Sequence, residues 1–198
     1  YNTDEEYQKF LEEQGIDQTF IDLYAEANAY NEAIYNYVKD NVKSDTDPNE
    51  YFKNNYLRAK HVLIKTEGLS DDEKAEKKKL ADEIYERAKN GEDFDKLVEE
   101  YSEDPGSKSQ PDGYVFPEGQ MVDEFYQGTK NIGIGEYNLV ESSFGYHIIK
   151  RLALDETQEL YDKFYKESNV EQQIETEKMR KFIDDKSKEY NIEVKYQK

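Results

Sequence analysis

The sequence predicts an α+β fold, with a strand-bearing middle inserted in a mainly helical lobe built from both chain ends. Two observations lead there. Apolar residues recur at spacings of three and four from Phe20 to Val38, and Leu160, Phe164, Val170, Ile174, Phe182 and Ile183 fall within one broad helical stripe, the pattern of amphipathic helices. Between Leu57 and Leu152 short runs alternate instead, the period of a half-buried strand, with turn residues and helix start signals between them.

The first 56 residues read as helices. Asp17 is a suitable N-cap for the stripe Phe20, Leu23, Ala27, Tyr30, Ile34 and Val38. Asp47-Pro48-Asn49-Glu50 starts a shorter helix that ends near Tyr56, with a capping acid and Pro at the first helical position. Of the chain's 18 tyrosines, Tyr24, Tyr30, Tyr35, Tyr37, Tyr51 and Tyr56 lie in this region; they are read as packing residues with a wet edge before a peptide-contacting surface.

Leu57 to Ile64 alternates, with Leu57, Ala59, His61 and Leu63 on one face. Ser70 and Glu73 form a capping box for a helix carrying Ala75, Leu80, Ile84 and Ala88, closed by Asn90-Gly91. The lysines at 77–79 lie on its solvated face. A shorter helix from Asp93 to Tyr101 buries Phe94, Leu97 and Val98. In the loop from Ser102 to Ser107, Asp104 is held extended by Pro105, and by itself it is a turn former.

Tyr114 to Phe116 is a short strand, and Pro117 to Gly119 turns the chain into a helix beginning near Val122. Met121 and Phe125, four residues apart, face the same way, an arrangement that taken alone belongs to a core. Strands follow at Tyr137–Glu141 and Tyr146–Leu152, the second with His147 and Ile149 on one face and Tyr146 and Ile148 on the other. A single long helix is expected from Thr157 to Tyr190, then a terminal strand from Asn191 to Tyr196. An amphipathic helix of that length cannot bury its stripe alone. Its expected partner is the Phe20–Val38 stripe; the alternative is a second copy of the chain, a homodimer.

Composition narrows the function classes. With 46 acidic and 27 basic residues the formal charge is -19, which repels phosphate backbones and anionic headgroups and argues against nucleic-acid partners. There is no cysteine, hence no disulfide, zinc–thiolate site or thiol catalysis. The two histidines lack a carboxylate spacing suited to metal, no loop cradles phosphate, and no cofactor is expected. No apolar run is long enough to span a membrane. The chain opens at Tyr1 without a basic or apolar leader, so any signal peptide or lipid anchor would lie outside this stretch.

Four ordered blocks carry a family resemblance: Ala59-Lys60-His61-Val62-Leu63-Ile64; Tyr101-Ser102-Glu103-Asp104-Pro105-Gly106-Ser107; Phe116 with Gly119-Gln120-Met121 and Phe125; and Phe144-Gly145-Tyr146-His147-Ile148-Ile149-Lys150. Residues 57–152 resemble a parvulin-type peptidyl-prolyl isomerase domain, and with their helical flanks they resemble the extracytoplasmic PrsA foldases of Gram-positive bacteria. The resemblance implies a small antiparallel sheet with surrounding helices, inserted between a helical part at 1–56 and a long helix at 153–198. It also implies a cleft in which Phe116, Met121 and Phe125 hold the proline ring while His61, Asp104, Ser142 and His147 surround the reacting bond.

Two departures bear on activity. Many relatives carry Gly-Asp-Leu-Gly where this chain has Pro111-Asp112-Gly113-Tyr114, so one apolar contact to proline is missing or is supplied by Tyr114. Phosphate-directed parvulins carry a Lys/Arg cluster after the first strand, whereas the stretch from Lys65 to Asp72 is acidic here and opposes phosphorylated substrates.

Rotation about X-Pro faces a barrier of about 20 kcal/mol from amide resonance, and its catalysis needs no nucleophile. Some parvulins carry Cys at the position of Asp104; the acid here points to hydrogen-bonding and electrostatic assistance. The expected function is thus an extracytoplasmic foldase at the cell surface, membrane-anchored in its precursor, isomerising X-Pro bonds of unfolded or partly folded chains. The alternative is a holdase or peptide-binding module with little turnover; a structural protein that merely uses the fold comes third.

Overall fold

Side-chain caps delimit most helices of the computed structural model, which describes residues 3–43, 45–107 and 109–191. Thr3 caps α1 (Asp4–Gln14) and Asp17 caps α2 (Gln18–Asn41). Asp47 accepts the amides of Asn49 and Glu50 at 2.7 and 3.2 Å and starts α3 (Pro48–Asn55). The Ser70/Glu73 capping box opens α4 (Asp71–Lys89), Asp93 caps α5 (Phe94–Tyr101), and α6 (Asp123–Lys130) begins after Val122. Each such cap is worth about 1 kcal/mol by satisfying an otherwise orphaned backbone donor.

Strands β1 (Tyr56–Lys65), β2 (Tyr114–Pro117), β3 (Tyr137–Ser142) and β4 (Gly145–Leu152) form one antiparallel sheet in the order β2-β1-β4-β3. Its alternation follows the sequence. Val62, Ile64, Tyr146 and Ile148 face α4 and α5, burying Ala81, Ile84, Ala88, Phe94 and Leu97. Ala59 and Ile149 face the other way, against Phe116 of β2 and Phe125 and Tyr126 of α6. Gly145 has φ +135, and a Cβ there would lie 2.1 Å from the Ile64 carbonyl oxygen, so the β3–β4 turn requires glycine.

The described residues gather into two compact units: Asp47–Val170, around the sheet, and a second made from the two ends, up to Thr46 and from Glu171. In the first, Phe52 of α3 is fully buried among Tyr56, Tyr161 and Tyr165, with ring centroids 4.9, 5.5 and 5.7 Å away. Tyr161 and Tyr165 belong to α7 (Gln158–Glu167), and the Tyr161 hydroxyl donates to Asn49 at 2.9 Å. Elements on either side of the 57–152 span therefore pack on each other beside the sheet.

Two expectations are corrected. The single helix expected from Thr157 to Tyr190 is two, α7 and α8 (Val170–Glu189). Ser168 caps α7 through its N–H, and Asn169 takes φ 47, a left-handed conformation that asparagine tolerates and that ends the helix. The packing of the Phe20–Val38 stripe is also only partial. Val38 is 1% exposed and Tyr37 meets Phe182 of α8 at 5.6 Å, but Phe20, Leu23 and Tyr30 are 60%, 65% and 62% exposed. After Val170, α8 carries only scattered apolar residues, Ile174, Met179, Phe182 and Ile183, too few to cover the whole stripe. The terminal strand expected at 191–196 lies outside the described residues beyond Asn191.

Candidate active site

Beyond Ala59, β1 has no partner in β2, and the loop after α5 takes the free edge. Glu103 donates its N–H to the Leu63 carbonyl at 2.9 Å, Leu63 N–H donates to Ser102 Oγ at 3.2 Å, and Lys65 N–H donates to Glu103 Oε2 at 2.6 Å. This lacing sets Asp104 beside His61. On the other side of β1, His147 of β4 lies opposite Leu63, two residues from His61 and on the same face.

Asp104 Oδ2 accepts from His61 Nε2 at 3.0 Å, Ser107 Oγ at 2.9 Å and the Tyr114 hydroxyl at 2.5 Å, while Oδ1 accepts from Gly106 N–H at 3.3 Å. The His61 hydrogen bond, helped by Tyr114 and Ser107 and opposed by burial, holds this carboxyl well below the usual carboxylate range. Burial and the adjoining Asp104 push the Tyr114 phenol above its ordinary value, so it remains a donor.

A carboxylate only accepts, so His61 Nε2 carries the proton. In neutral His61 the bare Nδ1 then accepts from His147 Nδ1, 3.4 Å away, and His147 Nε2 accepts from Ser142 Oγ at 2.8 Å. This proton order is assigned from the hydrogen-bond network. Burial, then the proximity of His61, lowers the His147 pKa to about 4, which keeps it neutral at pH 7. Ser142 Oγ in turn accepts from Phe144 N–H at 3.2 Å.

The apolar wall adjoins this network. The Phe125 ring stands edge-on to His61 at 5.0 Å and to His147 at 5.5 Å. Phe116 lies 5.5 Å behind it, fully buried, and Met121 is half-buried against the same cluster. Met121 precedes α6 and joins Phe125 through tertiary packing, not as a turn of one helix. A cavity of about 380 Å³ opens beside His61, Ser107 and Tyr114, with Lys60, Val98 and Pro111 among its walls; Phe116, Met121 and Phe125 do not line it. Among the described residues no group of three or more His, Asp or Glu side chains is arranged to hold a metal ion.

The structure thus brings His61, Asp104, Ser142 and His147 into one connected network and sets Phe116, Met121 and Phe125 against it. Tyr114 reaches the network through its hydroxyl as well as its ring. Ser107, 9% exposed, is the member that sequence reading missed. Its signal was the turn Asp104-Pro105-Gly106-Ser107, in which a hydroxyl three residues after an acid can bond back to it. Gly113 takes φ +87, where a Cβ would lie 2.8 Å from the Ala59 carbonyl oxygen, which accounts for glycine here.

A family model for the PPIC-type PPIASE domain matches residues 25–154, more than half of the chain. The chain belongs to the PPIC-type peptidyl-prolyl isomerase family. It is 36% identical over 126 residues to foldase protein PrsA 4 of Bacillus cereus, covering 63% of this chain and 40% of that one. To foldase protein PrsA of Geobacillus kaustophilus it is 38% identical over 117 residues, covering 57% and 38%. The chain thus spans about two fifths of the length of these curated relatives. The crystal structure of the peptidyl-prolyl isomerase PrsA from Bacillus anthracis shares the fold, with a TM-score of 0.50 at 22% identity over 98% of this chain and 84% of that one. Family membership and fold therefore agree: this is a parvulin-type domain in a PrsA-like chain.

Proposed function

We propose that this protein is a peptidyl-prolyl cis/trans isomerase and foldase that acts, without a cofactor, on X-Pro bonds of unfolded or partly folded secreted polypeptides. The observation that carries the reading is the continuous network from Ser142 through His147 and His61 to Asp104, set against the Phe125 ring. Met121 and Phe125, backed by Phe116, hold the proline ring, with the Tyr114 ring adding apolar contact. The twisting amide lies over Asp104, Ser142 and the two histidines. As resonance is lost the peptide nitrogen becomes pyramidal and the carbonyl rotates freely, and a site of fixed dipoles beside an apolar wall favours that state over the planar one. No bond is made to the enzyme. Substrates are unphosphorylated, because Glu67 stands in the loop after β1 and Asp71 and Asp72 in the first turn of α4.

In this reading residues 57–152 carry the isomerase and residues 1–56 and 153–198 the chaperone lobe. The likeness to PrsA foldases supports a site of action outside the cytoplasm; a place at the cell surface and a membrane anchor in the precursor belong to the proposal alone. Exchange spectroscopy on an unphosphorylated X-Pro peptide tests the activity. Acceleration of cis/trans exchange by micromolar protein is expected; exchange at the buffer rate overturns the enzyme reading.

A second reading, a holdase with little turnover, is favoured by the exposed Phe20, Leu23, Tyr24 and Tyr30 on α2. The same stripe would serve a homodimer, and light scattering at several concentrations separates the two uses.

A further inference from the structure

Tyr114 is held by the sheet, whereas the acid it touches is held by a loop. Its backbone pairs with Ala59 at the end of the β1–β2 ladder, and Arg58 Nε donates to the neighbouring Asp112 carbonyl at 2.8 Å. From this mount the hydroxyl reaches Asp104 Oδ2 at 2.5 Å, the oxygen that also takes the His61 Nε2 proton at 3.0 Å. The ring meets His61 edge-on at 5.6 Å. Gly106, whose N–H holds the other carboxylate oxygen, leaves room for the phenol: a Cβ there would lie 2.0 Å from the Tyr114 hydroxyl oxygen and 3.1 Å from the ring carbon that bears it.

We propose that Tyr114 is a positioning residue of the isomerase centre, whose hydroxyl pins the Asp104 carboxylate against His61. It thereby fixes His61 as its Nε2–H tautomer and orders the hydrogen bonds on to His147 and Ser142. This goes beyond an apolar contact with proline and rests on the isomerase reading only for its kinetic arm. The carboxylate has two hydroxyl donors, and they are not equivalent. Ser107 is on the same loop and moves with Asp104, so it cannot fix the acid relative to β1. Tyr114 is on the neighbouring strand, so it can.

Tyr114→Phe keeps the ring and removes only the donor. The expected result is a fall in kcat of roughly tenfold or more, the range for losing a hydrogen bond to a charged group, with KM changed less than twofold. A purely apolar contact predicts the reverse, a silent Tyr114→Phe. The tautomer is read independently by the 15N shifts of His61, which do not require turnover. In the parent the Nε2 and Nδ1 signals are well separated; in Tyr114→Phe they converge as the second tautomer becomes populated. Gly106→Ala supplies a second variant, since its methyl pushes the hydroxyl away while leaving tyrosine in place, and it is expected to give the same convergence. Combining it with Tyr114→Phe should add little, because the group it displaces is then gone. Unchanged separation of the His61 signals in the folded variants overturns the proposal whatever the activity. An inactive parent whose His61 signals still converge in the variants overturns the isomerase reading and leaves the pinning role standing.

Discussion

His61 and His147 sit diagonally across β1 and β4 with their Nδ1 atoms 3.4 Å apart, and the edge of one ring, Phe125, meets both. The relationship makes the polar network and the apolar wall a single structure, so a change in one is felt by the other. It also makes the two histidines unequal. His61 is tied to a carboxylate, while His147 is buried between an imidazole and a hydroxyl and resists protonation.

That inequality gives stability a pH dependence. His147 titrates at about 4 in the fold against an ordinary value of 6.5, so the unfolded chain binds the proton more readily. Its contribution is complete above pH 6.5 and is lost as pH falls toward 4, amounting to roughly 2–3 kcal/mol over that window. Asp104, whose pKa is lowered, adds a loss in the same direction at lower pH, once acidity reaches the ordinary carboxylate range. Urea unfolding at half-unit steps from pH 7 to 4 measures the slope, and His147→Gln should flatten it.

Asp104 and Met121 separate turnover from binding. Asp104→Asn keeps the shape but removes the charge that holds His61, and should lower kcat by tenfold or more, again roughly the range for a charged hydrogen bond. Met121→Ala removes apolar contact and should mainly raise KM. Full exchange kinetics on one peptide distinguish them, and equal activity of Asp104→Asn and the parent would return the acid to the role of a turn former.

Phe52 is the anchor of the aromatic cluster beside the sheet. With its side chain fully buried against three tyrosine rings, Phe52→Ala should cost about 3–5 kcal/mol, the range for deleting a core phenylalanine. Chemical denaturation followed by circular dichroism reads the loss, and a change below about 1 kcal/mol would mean that the cluster collapses around the gap.

The exposed part of α2 predicts the opposite pattern. Replacing Phe20, Leu23 and Tyr24 together with serine should leave stability within roughly 1–2 kcal/mol, since each side chain is more than half exposed. Dye binding and suppression of client aggregation should both decline. Unchanged client protection in this variant removes the stripe from the holdase reading.

The sequence by itself determined most of the order of elements, because those elements rest on local physics. N-caps at Asp17, Asp47 and Ser70 start helices within a few residues, and alternation places His61 with Leu63 in β1 and His147 with Ile149 in β4, while the β1–β4 register sets the two histidines on one face. The candidate site was legible only through the family resemblance that the four blocks carry, since taken singly its residues read as core and turn formers. What tertiary structure alone decided was who meets whom. Periodicity marks the face of α2 that wants cover but cannot say how much cover arrives, so Val38 is buried while Phe20 stays in water. Stripe spacing ran through Ser168-Asn169 without a breaker, and only the left-handed turn at Asn169 divides α7 from α8. The hydroxyls of Tyr114 and Ser107 converge on Asp104 because a loop is laced to the free edge of β1 and a strand ends beside it, a geometry set by pairing between segments distant in the chain.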